Sequence, residues 1–135
     1  MRSPESGGVS TLQADPATMA TIEAIERFNA AFGRHDVDAI MATMTDDCVF
    51  ESTAPPNGRC FVGQAEVRAA WESFFRSSPD AAFETEELFA AGDRCVVRWR
   101  YQWLDPRGQA GHIRGVDLFR VQDGKVAEKL AYVKG

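Results

Sequence analysis

The chain is poor in the residues that build metal centres and disulfide frameworks, with three cysteines and two histidines in 135 residues. Cys48, Cys60 and Cys95 are widely spaced and form no C-x-x-C pair. Neither a disulfide framework nor a zinc site is indicated, and three buried thiols in a reducing cytoplasm are expected. No His/Cys/Asp/Glu spacing suggests metal ligands, and there is no glycine-rich phosphate loop. Positive charge is also scarce. Fifteen basic against twenty acidic residues give a net charge of −5, and no Lys/Arg run occurs. Nucleic acid and an anionic membrane surface are therefore not expected partners. No window approaches a transmembrane span. The opening "MRSPESGGVSTLQADPA" has no apolar core of signal-peptide length. Being small and polar, it is expected to form a disordered tail over residues 1–17 of a soluble cytoplasmic protein. The remaining residues, 18–135, suffice for one domain with a real core and are too few for two.

What is present is periodic. Asp15-Pro16 reads as a helix start, with Asp as cap and Pro at the first helical position. Met19, Ile22, Ile25, Phe28 and Phe32 then fall on one face, and Gly33 is the expected stop. Asp36 caps a second short helix with Val37, Ile40, Met41 and Met44 inward. "CVFES" (48–52) alternates as a strand and is followed by a Pro55-Pro56-Asn57-Gly58 loop. From Gly63 a third helix carries Val67, Ala70, Trp71, Phe74 and Phe75 on its inner face and ends at "SSPD" (77–80). Strands follow over 83–91, 95–104, 111–122 and 125–133, with turns at Gly92-Asp93 and Asp123-Gly124. Asp-Gly is a strong hairpin signal because both residues tolerate positive φ. The order ααβαββββ predicts an α+β domain, with helices covering one face of a mostly antiparallel sheet.

Strand 95–104 alternates strictly, Val97, Trp99, Tyr101 and Trp103 against Arg98, Arg100 and Gln102. The aromatic face must meet the helices. It either fills the core or forms a wall suited to a flat apolar ligand. Glu84 and Glu86 with Arg98, Arg100, Arg114 and Arg120 alternate outward and read as cross-strand charge pairs with a dimer contact, the alternative being an anion site. On strand 111–122 the cleaner face is Ile113, Gly115, Asp117, Phe119 and Val121, which aims Asp117 inward. Burial disfavours a charged carboxylate, and an acid so placed can exchange a proton near neutral pH. It can equally be a hydrogen-bonded structural residue. Glu87 shares a face with Phe83, Thr85 and Phe89 if its strand is regular, which makes it a candidate second carboxyl; a bulge before Gly92 would undo this. Lys129 shares a face with Ala127, Ala131 and Val133 and either points inward or is a solvated lysine. His112 falls on the outward face.

The segments "FNAAFGRHDVDAIMATMTDDCVFE", the helix from Gly63 and "GVDLFRVQDGKV" resemble the nuclear transport factor 2-like superfamily. Within it the chain resembles the SnoaL-like polyketide-cyclase and steroid Δ5-isomerase branch, over about Thr18 to Val133. The resemblance implies a cone-shaped barrel, a curved sheet wrapped around the three helices, enclosing an apolar cavity. It also implies a dimer, and with the charged outer sheet face this gives a homodimer through that face as the expected assembly. Asp117 falls on the isomerases' protonated aspartic acid, which donates a hydrogen bond to a developing enolate. Their oxyanion tyrosine falls on Phe28 and their general base on Ser52, so the steroid route lacks two groups here. Trp71 falls where a further pocket tyrosine can stand. Polyketide cyclases use a carboxyl near the Asp117 position as acid/base, without cofactor or metal.

The expectation is a small enzyme acting by acid/base chemistry next to a carbonyl on a hydrophobic small molecule. Asp117 and Glu87 are the candidate acid/base groups. The expected pocket draws Phe28 and Phe32 from the first helix, Phe50 and Ser52 from the first strand, and Trp71 and Phe75 from the third helix. Trp99, Tyr101, Trp103, Phe119 and Lys129 complete it from the later strands. The alternative is a non-catalytic ligand-binding or dimeric interaction domain. A hollow cavity with a carboxyl favours the enzyme; one filled by tryptophan favours the alternative.

Overall fold

A computed structural model describes residues 15–134. The expected tail lies outside these up to residue 14. Helix α1 spans Pro16–Gly33, with the Asp15 carboxylate accepting from the Thr18 N–H at 2.7 Å. The buried face of α1 is not purely apolar. Thr18 and Thr21 are buried beside Ala24, Ile25 and Phe28. Thr18 Oγ1 accepts from the Gly92 N–H at 2.8 Å, and Thr21 Oγ1 donates to the Gly92 carbonyl at 2.6 Å. An apolar-only reading overlooks these two residues, which fasten α1 to the turn after β3.

After Gly33 the chain turns at His35, whose φ is 56°. Its ring stacks on Phe75 at 4.3 Å, and Nε2 lies 2.9 Å from the Ala81 carbonyl. These contacts hold a non-glycine residue in the left-handed region. Helix α2 is Val37–Ala42, capped by Asp36. Met44, expected on its inner face, instead opens strand β1 (Met44–Glu51). A three-residue strand β2 (Cys60–Val62) precedes α3 (Gly63–Ser77) and was not expected. Gln64 Nε2 donates to the carbonyls of Met41, Met44 and Thr45 at 3.0–3.2 Å, which ties α3 to the α2–β1 junction.

The later strands are β3 (Ala82–Ala91), β4 (Arg94–Leu104), β5 (Ala110–Gln122) and β6 (Lys125–Val133). One six-stranded sheet results, ordered β2-β1-β6-β5-β4-β3, with β1–β6 its one parallel pair. The sheet does not close: β2 and β3 are its edges among the described residues. Ile25, Phe28, Val67 and Trp71 from the helices pack against Val97, Trp99, Phe119 and Val126 of the sheet. Asp123 and Gly124 both have positive φ, the hairpin geometry expected for that pair.

The outer face carries the expected ion pairs: Glu86 meets Arg114 at 2.7 Å and Arg98 at 3.2 Å. The cysteines are free, but only Cys48 and Cys95 are buried. Cys60 is exposed because the short edge strand β2 leaves it uncovered. No helix among the described residues is long and apolar enough to cross a membrane.

Candidate functional site

The helices do not fill the inner face of the sheet. A cavity of about 550 Å³ remains between α1, α3 and the strands. Phe28, Trp71, Val97 and Trp99, all buried, line its inner end. Thr53, Arg59, Ser73 and Thr85, all exposed, line its mouth. Phe50 and Phe61 stack at 5.7 Å on one side, and Phe83 and Tyr101 at 4.7 Å on the other.

Asp117 from β5 and Lys129 from β6 enter this apolar space together, each 8% exposed. In the register Asp117 faces Ala131 and Lys129 faces Phe119, so the two are diagonal neighbours on the inner face. Long side chains on such diagonals reach one another. Lys129 Nζ donates to Asp117 Oδ1 at 3.3 Å. The ammonium also lies 4.9 Å from the Phe50 ring centroid, 5.5 Å from Trp71 and 5.8 Å from Phe32. Aromatic faces attract a desolvated cation by about 2 kcal/mol or more. Lys129 is thus the inward-pointing alternative, and it lies directly beside Asp117. Asp117 has no other side-chain hydrogen-bond partner among the described residues, leaving acceptor positions free.

Two further donors lie in the wall. The indole N–H groups of Trp71 and Trp99 are buried and without a partner among the described residues. Trp99 sits where it does because Gly115 faces it across β4 and β5; a Cβ there would lie 2.6 Å from the indole carbons. Ser52 Oγ lines the cavity and accepts from the N–H groups of Arg59 (3.0 Å) and Ala54 (3.4 Å). It closes the 52–59 loop and is no proton acceptor for a base's work. No group of three His/Cys/Asp/Glu residues able to hold a metal is found among the described residues.

The family model described as "SnoaL-like domain" matches residues 25–129. The chain belongs to the SnoaL-like domain family. A nuclear transport factor 2-like protein of unknown function from Mesorhizobium loti is 39% identical, with a TM-score of 0.77; the match covers 91% of this chain and 98% of that one. A protein from Jannaschia sp. CCS1, assigned as a SnoaL-like polyketide cyclase, is 22% identical with a TM-score of 0.77, over 94% and 92% of the two chains. TerC, co-crystallised with polyporic acid, is 21% identical with a TM-score of 0.74, over 85% and 92%. The last two likenesses show the fold. No curated protein matches the chain.

In this SnoaL-like domain, Phe28, Phe32, Phe50, Ser52, Trp71, Trp99, Tyr101, Asp117 and Lys129 line the cavity. Four other expected residues are placed elsewhere. Glu87 is turned out by a bulge between Thr85 and Glu87, and its carboxylate meets Arg98 at 3.3 Å on the outer face. The same bulge sends Phe89 to the surface and turns Leu88 and Ala90 inward. Trp103 packs over Gly111, beyond Tyr101, and lines a separate depression with the 77–81 loop. Phe75 stacks on His35 while Phe74 faces the cavity. Phe119 is fully buried against Phe28, beneath the cavity floor.

Sequence reasoning missed Arg59, Phe61, Phe83 and Thr85 as lining residues. Phe83 and Thr85 had their signal in the alternation of β3. Arg59 and Phe61 had none, since a three-residue strand after Pro-Pro-Asn-Gly is too short to show a period.

Proposed function

We propose that this SnoaL-like domain is a cofactor-independent enzyme acting next to the carbonyl of a planar hydrophobic small molecule. The reaction class is proton transfer leading to cyclisation, isomerisation or dehydration. The observation carrying this reading is the buried Asp117–Lys129 pair in the wall of a hollow aromatic cavity. The Asp117 carboxylate takes a proton from the carbon beside the carbonyl, leaving an enolate. The Lys129 ammonium stabilises the enolate oxygen, in place of the tyrosine that the isomerase pattern has where Phe28 stands. The protonated Asp117 then returns the proton to the new position. A positioned base contributes about 10²–10⁴-fold and an oxyanion donor about 10²–10³-fold. The fold shared with TerC supports a small-molecule ligand.

The test is exchange of the α-protons of 1-tetralone in deuterium oxide, followed by proton NMR. Asp117→Asn is expected to slow exchange at least about 100-fold and Lys129→Met by a similar factor, while Lys129→Arg retains part of the rate. Exchange that survives both losses contradicts the mechanism. Ser52, which is no base and already accepts two backbone N–H groups, favours a second reading as a binding domain without turnover. That reading expects ligand binding and no exchange.

The outer face supports a homodimer. Phe89, Val96, Leu118 and Leu130 fall on one cross-strand row, with Val116 and Tyr132 on the next. Phe89, Leu118 and Tyr132 are exposed. Three free thiols fit a reducing compartment such as the cytoplasm.

A further inference from the structure

The charges lining the cavity do not cancel. They are Asp117, Lys129 and Arg59, two cations against one carboxylate, in a chain whose net charge is −5. Asp117 and Lys129 neutralise each other at 3.3 Å. Arg59 has no carboxylate partner within salt-bridge distance among the described residues.

Its position is built. The Ser52 N–H donates to the Arg59 carbonyl at 2.9 Å and the Arg59 N–H donates to Ser52 Oγ at 3.0 Å, which extends the β1–β2 ladder by one rung. Alternation then puts Arg59 on the same face as Phe61, toward the cavity. The guanidinium carbon lies 5.1 Å from the Phe61 ring centroid. Phe61 stacks on Phe50 with 12° between the rings, and Lys129 Nζ lies 4.9 Å from Phe50. One continuous aromatic shelf therefore joins Arg59 at the mouth to the ion pair at the inner end.

We propose that the ligand is an aromatic carboxylate, whose carboxylate meets Arg59 at the mouth while its ring system lies along the Phe50–Phe61 shelf. This rests on the reading of the cavity as a small-molecule site and names its ligand class. A guanidinium with free N–H groups matches a carboxylate bidentately. Lys129 is already committed to Asp117, so among the described residues the unmatched charge in the cavity is that of Arg59.

The experiment is calorimetric titration with 2-naphthoate and with 2-naphthamide, which has the same shape and no charge. Naphthoate is expected to bind about tenfold tighter at low salt, a charge-assisted contact discounted for exposure. The advantage should shrink as salt rises. Arg59→Gln should equalise the two probes, and Arg59→Lys should keep part of the difference. Equal affinities in the wild type, no binding of either probe, or an advantage that persists in Arg59→Gln overturns the proposal. Naphthoate has no exchangeable α-proton, so the titration is independent of turnover. An Arg59-dependent preference without tetralone exchange removes the proton-transfer reading and keeps this one. Asp117-dependent exchange without the preference does the converse.

Discussion

Lys129 decides what kind of site the cavity is. Desolvating an ammonium costs several kcal/mol, and one carboxylate with three aromatic faces is what offsets it. Removing one member strands the other in an apolar wall. Lys129→Met is therefore expected to cost about 3–5 kcal/mol, read by urea denaturation. The double change Lys129→Met with Asp117→Leu should recover most of that loss, because no buried charge is then left alone. A double variant as unstable as the single one would show that the pair does not govern stability here. The direction of Asp117 was legible because β5 alternates cleanly around it. Lys129 was not, because Ala127, Ala131 and Val133 opposite Leu130 and Tyr132 leave both faces of β6 similarly apolar. A lysine's long stem suits either face.

At the scale of elements, bulges and edges explain what the pattern of residues could not. The extra residue in β3 reverses the strand's faces between Thr85 and Glu87, and nothing in "FETEELF" marks it. The glycines of β5 were visible, but their use was not: Gly111 and Gly115 make room for tryptophans on β4. Gly115→Ala is expected to destabilise the fold by about 1–3 kcal/mol through overpacking, since the new Cβ would strike the Trp99 ring and the Tyr132 carbonyl. Thermal unfolding with a midpoint unchanged from wild type would refute this. The edge strand β2 makes a second prediction. Burial raises the Cys48 thiol above its ordinary range and pushes Cys95 up to about 12. Iodoacetamide at pH 8 should therefore label Cys60 alone in the native protein and all three thiols after unfolding, as counted by mass spectrometry. Rapid native labelling of Cys95 would contradict the packing of β4.

For the whole molecule, the order of helices and the mostly antiparallel sheet were legible from periodicity and turn chemistry, while the hollow interior was expected only from the family resemblance. Trp71, Trp99 and Tyr101 read equally well as core filling or cavity wall. Only the spacing of α1 and α3 from the sheet separates the two. The outer face has its own pH dependence. Arg114 holds the Glu86 carboxyl below its ordinary range, mainly through its hydrogen bond, with Arg98 adding a weaker attraction. A carboxyl depressed by folding stabilises the native state above its unfolded value, and that contribution is lost as pH falls through the folded value. Glu86→Gln should therefore lower stability at pH 7, with the difference fading as the pH falls below 4. Leu118→Glu, placed at the centre of the apolar row on the same face, should convert the proposed dimer to monomer in light scattering. A dimer that persists would place the contact elsewhere.

A crystal structure with 1-tetralone bound would show directly whether a carbonyl ligand meets the Asp117–Lys129 pair. The ketone oxygen is expected within hydrogen-bonding distance of Lys129 Nζ, with the α-carbon facing the Asp117 carboxylate. A ketone oxygen directed to the mouth, or an empty inner end beside an undisturbed ion pair, would contradict it.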